Sequence, residues 1–127
     1  MPLRPDEPKG ELIRVYAREL RAYGASDAQP YLLYLNGGPG FPSPRPLKGQ
    51  GWIARALKSY RVVLLDQRGT GRSSPIFETT LTRKSIDEQA EYLSYFRAPQ
   101  IVSDAEHLRQ SLTGSAGRWA ILGQSYG

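Results

Sequence analysis

The chain of 127 residues is long enough for one modest domain and too short for two, and its 39% hydrophobic and 23% charged residues are those of a globular protein. The absence of cysteine excludes a disulfide framework, a thiolate nucleophile and a cysteine zinc site, and a single histidine, His107, argues against a histidine-rich metal centre. Lys and Arg number 17 against 12 Asp and Glu, a net +5, but they are spread over nearly every segment, so we expect a solvated basic surface and no nucleic-acid face.

No stretch approaches membrane-spanning length, and "MPLRPDEPKGELIR" carries charges and prolines where a signal peptide has its apolar run. The expected setting is soluble and cytoplasmic, without membrane contact. In "ELIRVYAREL", Ile13, Val15 and Ala17 alternate with Arg14, Tyr16 and Arg18, the period of two that marks a half-buried strand. "YLLYL", Tyr31 to Leu35, is a continuous apolar run bounded by Pro30 and by glycines, which predicts a strand covered on both faces. "GWIARALKSY" places Ile53, Ala54, Leu57 and Tyr60 at helical spacing, and "RVVLLD", ending at Asp66, is a second buried strand.

Beyond the loop "QRGTGRSSP", Ser85 and Glu88 form a capping box ahead of a helix with Ile86, Ala90, Leu93 and Phe96 on one face, and Pro99 is expected to break it. A further helix carries Ile101, Ala105, Leu108 and Leu112 on one stripe and ends at Gly114, before the buried strand "RWAIL". Strands of buried type separated by helices predict an α/β fold with a mostly parallel sheet and flanking helices, the alternating first strand near its edge.

The third buried strand runs into Gly123, Gln124, Ser125, Tyr126 and Gly127, which fit G-x-S-x-G. In that motif a strand turns sharply toward a helix and lifts the serine oxygen above the sheet, and the flanking positions are small because the strained turn brings backbone segments close. Acyl transfer also needs backbone N–H groups for the tetrahedral oxyanion, one from the residue after the nucleophile and one from the loop after an earlier strand. Tyr126 supplies the first. The loop Asn36, Gly37, Gly38, Pro39 and Gly40 follows an apolar strand, and since Pro39 lacks an N–H, Gly38 is the expected second donor. Neither glycine-rich loop suits phosphate: one lacks the lysine of a P-loop and the other the third glycine of a dinucleotide site.

Taken in order, "NGGPG", "DQRGTGRS" and "GQSYG", each after a strand, resemble the proline iminopeptidase family of α/β-hydrolases over nearly the whole chain. The resemblance implies a serine exopeptidase that removes an N-terminal residue, typically proline, from a peptide with a free N-terminus, without metal or organic cofactor. It implies Ser125 as nucleophile, Gly38 and Tyr126 as oxyanion donors, and Asp66, Gln67, Arg68 and Gly69 in a loop bordering the site. Asn36 stands where histidine is common in the family, and Gln100 where aspartate is expected.

In this fold the triad runs Ser, then Asp or Glu, then His. Asp66 precedes Ser125, so its expected task is fixing its loop by accepting N–H bonds. His107 precedes it too and is expected as a partly exposed helical residue, and Trp52 and Trp119 as packing residues. No histidine or acid follows Ser125 to complete a triad. The expectation is therefore that residues 1–127 form the N-terminal part of an α/β-hydrolase catalytic domain, truncated at the nucleophile elbow. The cap domain and C-terminal part would lie outside, and "RWAIL" would become an apolar edge prone to self-association. The alternatives are a general esterase and a catalytically incomplete hydrolase-like fragment that acts by binding.

Overall fold

A computed structural model describes residues 1–46 and 51–127. Its elements are β1 (Tyr16–Leu20), β2 (Tyr31–Leu35), α1 (Gly51–Ala56), β3 (Arg61–Asp66), α2 (Glu78–Leu81), α3 (Ile86–Ser94), α4 (Ala98–Thr113) and β4 (Trp119–Gly123). The four strands form one sheet in the order β1-β3-β2-β4. β2 pairs in parallel with both β3 and β4, while β1 pairs antiparallel with β3 at the edge. This is the mostly parallel α/β sheet expected, with its first strand at the edge.

The two central strands are apolar without interruption because both faces are covered. On one face Leu33, Val63 and Leu65 pack with Tyr31, Ala105 and Leu108, which brings α4 onto the sheet. On the other, Leu32, Tyr34, Val62 and Leu64 meet Ala56, Leu57 and Tyr60 from α1 and the turn after it. Alternation along a strand sends neighbours to opposite faces, so a run such as "RVVLLD" supplies both layers at once. Each fully buried aliphatic side chain contributes roughly 1.5–3 kcal/mol relative to its exposed state.

Several elements differ from the sequence reading. The ladder of β1 starts at Tyr16, later than the alternation suggests, because its partner β3 ends at Asp66, the residue opposite Tyr16. Ahead of that point the serines of the loop after β3 substitute for a strand. Ser73 Oγ accepts the N–H of Tyr16 (2.7 Å) and Ser74 Oγ that of Arg14 (2.9 Å).

The capping box holds: Ser85 Oγ accepts the Glu88 N–H, and Glu88 Oε2 accepts the Ser85 N–H. That bond to the Ser85 backbone, with the one to its side chain, keeps the Glu88 carboxyl below its usual range. The stripe that the box precedes is not buried, however, since Ile86 and Leu93 are exposed. α3 is short; near its C-terminal end Tyr92 stacks obliquely on Phe96 at 5.1 Å, and Phe96 in turn lies against Gly69. α3 also ends at Ser94, before Pro99, and that proline lies in the first turn of α4, where a missing N–H costs nothing.

α4 stops at Thr113 with Gly114 at φ 71° as its cap, as the sequence indicates. β4 is of buried type in sequence but lies at an edge of the sheet, which is the apolar edge expected for "RWAIL" without later strands. Ile121 and Leu122 are exposed, because β4 pairs only with β2 among the described residues.

Candidate active site

Three loops leave the sheet at the same level. Leu35 is in register with Leu65 on one side and Gly123 on the other, so the parallel strands end together. The segments starting at Asn36, Gln67 and Gln124 therefore emerge side by side. This is the end of a parallel sheet at which α/β proteins place ligands.

The segment after β4 is a tight turn. The Gln124 N–H donates to the Leu35 carbonyl (3.1 Å) and the Gly127 N–H closes back onto the Gln124 carbonyl (3.0 Å). Between them Ser125 adopts φ 57°, the left-handed region that a side chain reaches at a cost of about 1–2 kcal/mol. The flanking glycines are there for space. A Cβ at Gly123 would strike the Gly127 carbonyl, and one at Gly127 the carbonyls of Leu35 and Asn36.

Gly37 brings the second loop to the serine. A Cβ at position 37 would lie 2.6 Å from the Ser125 Cβ and 3.1 Å from its Oγ, so only glycine lets the two backbones approach this closely. Gly38 and Gly40 continue the loop at φ 131° and 106° around Pro39. Among the described residues neither the Gly38 nor the Tyr126 N–H has a hydrogen-bond acceptor.

Side chains beneath the loops fix them. The Asn36 Nδ2 donates to the Pro42 carbonyl (2.8 Å), and the Gln67 Nε2 donates to the Asn36 carbonyl (3.1 Å). The buried Tyr34 hydroxyl reaches Gln124 Oε1 at 2.6 Å and Asn36 Oδ1 at 3.0 Å. Burial raises the Tyr34 pKa above that of a free phenol, so the hydroxyl stays protonated.

Asp66 behaves as a loop organiser. Its Oδ1 accepts the Ser43 N–H and its Oδ2 the Arg72 N–H, both at 2.9 Å, and the Arg45 guanidinium donates to Oδ2 at 2.9 Å. One carboxylate thus ties the loop after β2 to the loop after β3.

Arg68 turns away from the serine. Its Nε and Nη2 form a bidentate pair with Asp104 (2.7 Å each), and the remaining N–H groups donate to the Pro2, Leu3 and Tyr95 carbonyls. Five donors meet five acceptors, with the two side chains 1% and 3% exposed. Arg68 therefore joins the N-terminal segment, the end of α3 and α4 into one support behind the loop.

Beside these loops lies a cleft of about 350 Å³, bounded by Pro39, Gly40, Gln67 and Gly69 on the loop side and by Leu93, Phe96 and Ile101 opposite. Ser125 is not part of this lining; it meets the same loop at Gly37. His107 is exposed on α4 with Nδ1 against the Ser103 carbonyl (2.8 Å). Trp52 stacks on Tyr34 at 4.6 Å, and Trp119 packs on the α4 side of the core. Among the described residues no cluster of His, Asp or Glu could hold a metal ion, and no helix is long and apolar enough to cross a membrane.

The residues that sequence reasoning missed are supporting ones: Tyr34, Gln124, Ser43 and Asp104. Tyr34 reads as core in "YLLYL", and its hydroxyl gains meaning only once β2 and β4 are known to be neighbours. Asp104 gives no signal until its pairing with Arg68 is seen.

No protein-family model matches the chain. Over its whole length it is 49% identical to the proline iminopeptidase of Aeromonas sobria and 38% identical to the proline iminopeptidase aneH of Aspergillus aculeatus. Over 73% of its length it is 36% identical to a probable proline iminopeptidase of Streptomyces coelicolor, of which it covers 24%. The chain spans about 30% of the length of the first two relatives.

Proposed function

Because the chain belongs to the proline iminopeptidase family of α/β-hydrolases and corresponds to the N-terminal portion of its members, we propose that it is part of a serine aminopeptidase. In the complete protein this enzyme releases N-terminal proline from peptides. Ser125 is the nucleophile. Its Oγ gives up its proton to the general base and bonds to the carbonyl carbon of the first residue, and the carbonyl oxygen, now an anion, rests on the N–H groups of Gly38 and Tyr126. The C–N bond then breaks and the peptide amine leaves with a proton from the general base. Water hydrolyses the acyl-enzyme, releasing the free amino acid and restoring the serine.

One observation carries this reading: a serine in the left-handed region, between two crowded glycines, touches a glycine-rich loop whose N–H groups have no acceptor among the described residues. A strained turn of that kind persists only where its surroundings determine it, and such sites cluster at functional centres. The base and its orienting acid belong to polypeptide outside residues 1–127, in keeping with the greater length of the relatives. Residues 1–127 are then the N-terminal part of the catalytic domain.

The test is release of arylamine from a proline arylamide by the complete protein and by its Ser125→Ala variant. Turnover by the first, abolished in the second, supports the reading. Hydrolysis of simple esters with no action on the arylamide would favour a general esterase.

A further inference from the structure

We infer that the Tyr34 hydroxyl is a positioning group that sets the oxyanion loop against the nucleophile elbow. The inference rests on the hydrolase reading of Ser125 and adds to it a residue that sits in neither loop. Tyr34 lies on β2 with its ring packed among Leu32, Leu64 and Trp52, so the phenol is held in place from below. Its oxygen emerges between the two loops and touches one residue of each: Gln124, just before Ser125, and Asn36, just before Gly37.

Gln124 directly precedes Ser125, and Asn36 stands two residues before the Gly38 donor. Asn36 is itself anchored, because its Nδ2 is committed to the Pro42 carbonyl, which leaves Oδ1 free to accept. A single hydroxyl hydrogen serves two oxygens here. A half-turn of the Gln124 carboxamide, which preserves its shape, lets that side chain donate to the phenol and completes a directional chain from the elbow through Tyr34 and Asn36 to Pro42. Ser43, the next residue, is held by Asp66, so the chain of bonds continues to the loop after β3. The wider consequence is that the loop can carry asparagine at its head without losing support.

Reacting groups displaced by about 1 Å can cost on the order of 100-fold in rate. Removing the hydroxyl should therefore act on kcat and leave substrate binding alone. In the complete protein, Tyr34→Phe should lower kcat on a proline arylamide about 10- to 100-fold, with KM changed by less than about twofold. Phosphonylation of Ser125 by a fluorophosphonate, in which an O–P bond forms and fluoride leaves, should slow in parallel. Gln124→Leu, at an exposed position, should reproduce the defect, and the double variant should be no worse than the more impaired single one.

Gln124→Leu also carries the test if Tyr34→Phe does not fold. Equal labelling rates in wild type and variants, or losses that add in the double variant, would overturn the positioning role and leave the hydrolase reading intact. No labelling of wild-type Ser125 at all would overturn both.

Discussion

Gly37 lies so close to Ser125 that a Cβ on the first would fall 2.6 Å from the Cβ of the second. Real Cβ atoms do not approach that near, so Gly37→Ala must push the two loops apart. We expect this variant of the complete protein to lose about 100-fold or more in kcat/KM on a proline arylamide, a misplacement effect near the reacting atoms. Unfolding measured in denaturant should show a smaller change, because a loop at the sheet's end can move more easily than the core. An alanine variant with full activity would mean that the contact is incidental.

Arg68 and Asp104 form a pair almost sealed from solvent. Asp104→Ala leaves a buried guanidinium with two donors unpaired, so it should destabilise the protein by about 3–5 kcal/mol in a denaturant titration. Replacing both residues with apolar ones of similar size should recover much of that loss. A single variant within about 0.5 kcal/mol of wild type would contradict the buried-support role.

Asp66 accepts two backbone N–H groups and the Arg45 guanidinium. Asp66→Asn keeps the shape but turns an NH2 toward at least one donor, which should cost about 1–3 kcal/mol. Turnover should fall together with stability. A large loss of turnover at unchanged stability would assign Asp66 a direct chemical role instead.

Glu106 sits beside Arg109, whose guanidinium also gathers the Gly114, Ser115 and Gly117 carbonyls of the turn leading into β4. The hydrogen bonds from Arg109 and then Gln110 lower the Glu106 pKa from 4.5 to about 2. The folded state therefore holds this proton less tightly than the unfolded chain does. Its contribution is complete above pH 4.5 and is lost as the pH falls toward 2. Melting temperature should drop more steeply over that window in wild type than in Glu106→Gln, and added salt should narrow the difference because the group is exposed. Parallel melting curves for the two proteins would contradict the assignment.

The parts of the fold that were legible in the sequence are those written as pattern. "YLLYL" and "RVVLLD" announce strands buried on both faces, and Ser85 with Glu88 announces a helix start. Gly114 marks a helix end for a local reason, its left-handed φ. The start of β1 was not legible, because it is set by where β3 stops and by two serines far along the chain. The stripe on α3 misled because periodicity records which residues share a face and not whether anything covers that face.

At the candidate site, Ser125 and the Asn36–Gly40 loop could be named from residue type and order alone. The link between them through Tyr34 could not. It depends on β4 crossing back to lie beside β2, a long-range pairing that no local window contains.

The central claim is that the Ser125 hydroxyl is the atom that becomes covalently bonded to substrate. The most direct measurement is peptide mapping by mass spectrometry of the complete protein after treatment with a fluorophosphonate. The account predicts one phosphonyl adduct, on Ser125, blocked in advance by a slowly hydrolysed proline ester. An adduct on another residue, or active enzyme with Ser125 unmodified, would contradict it.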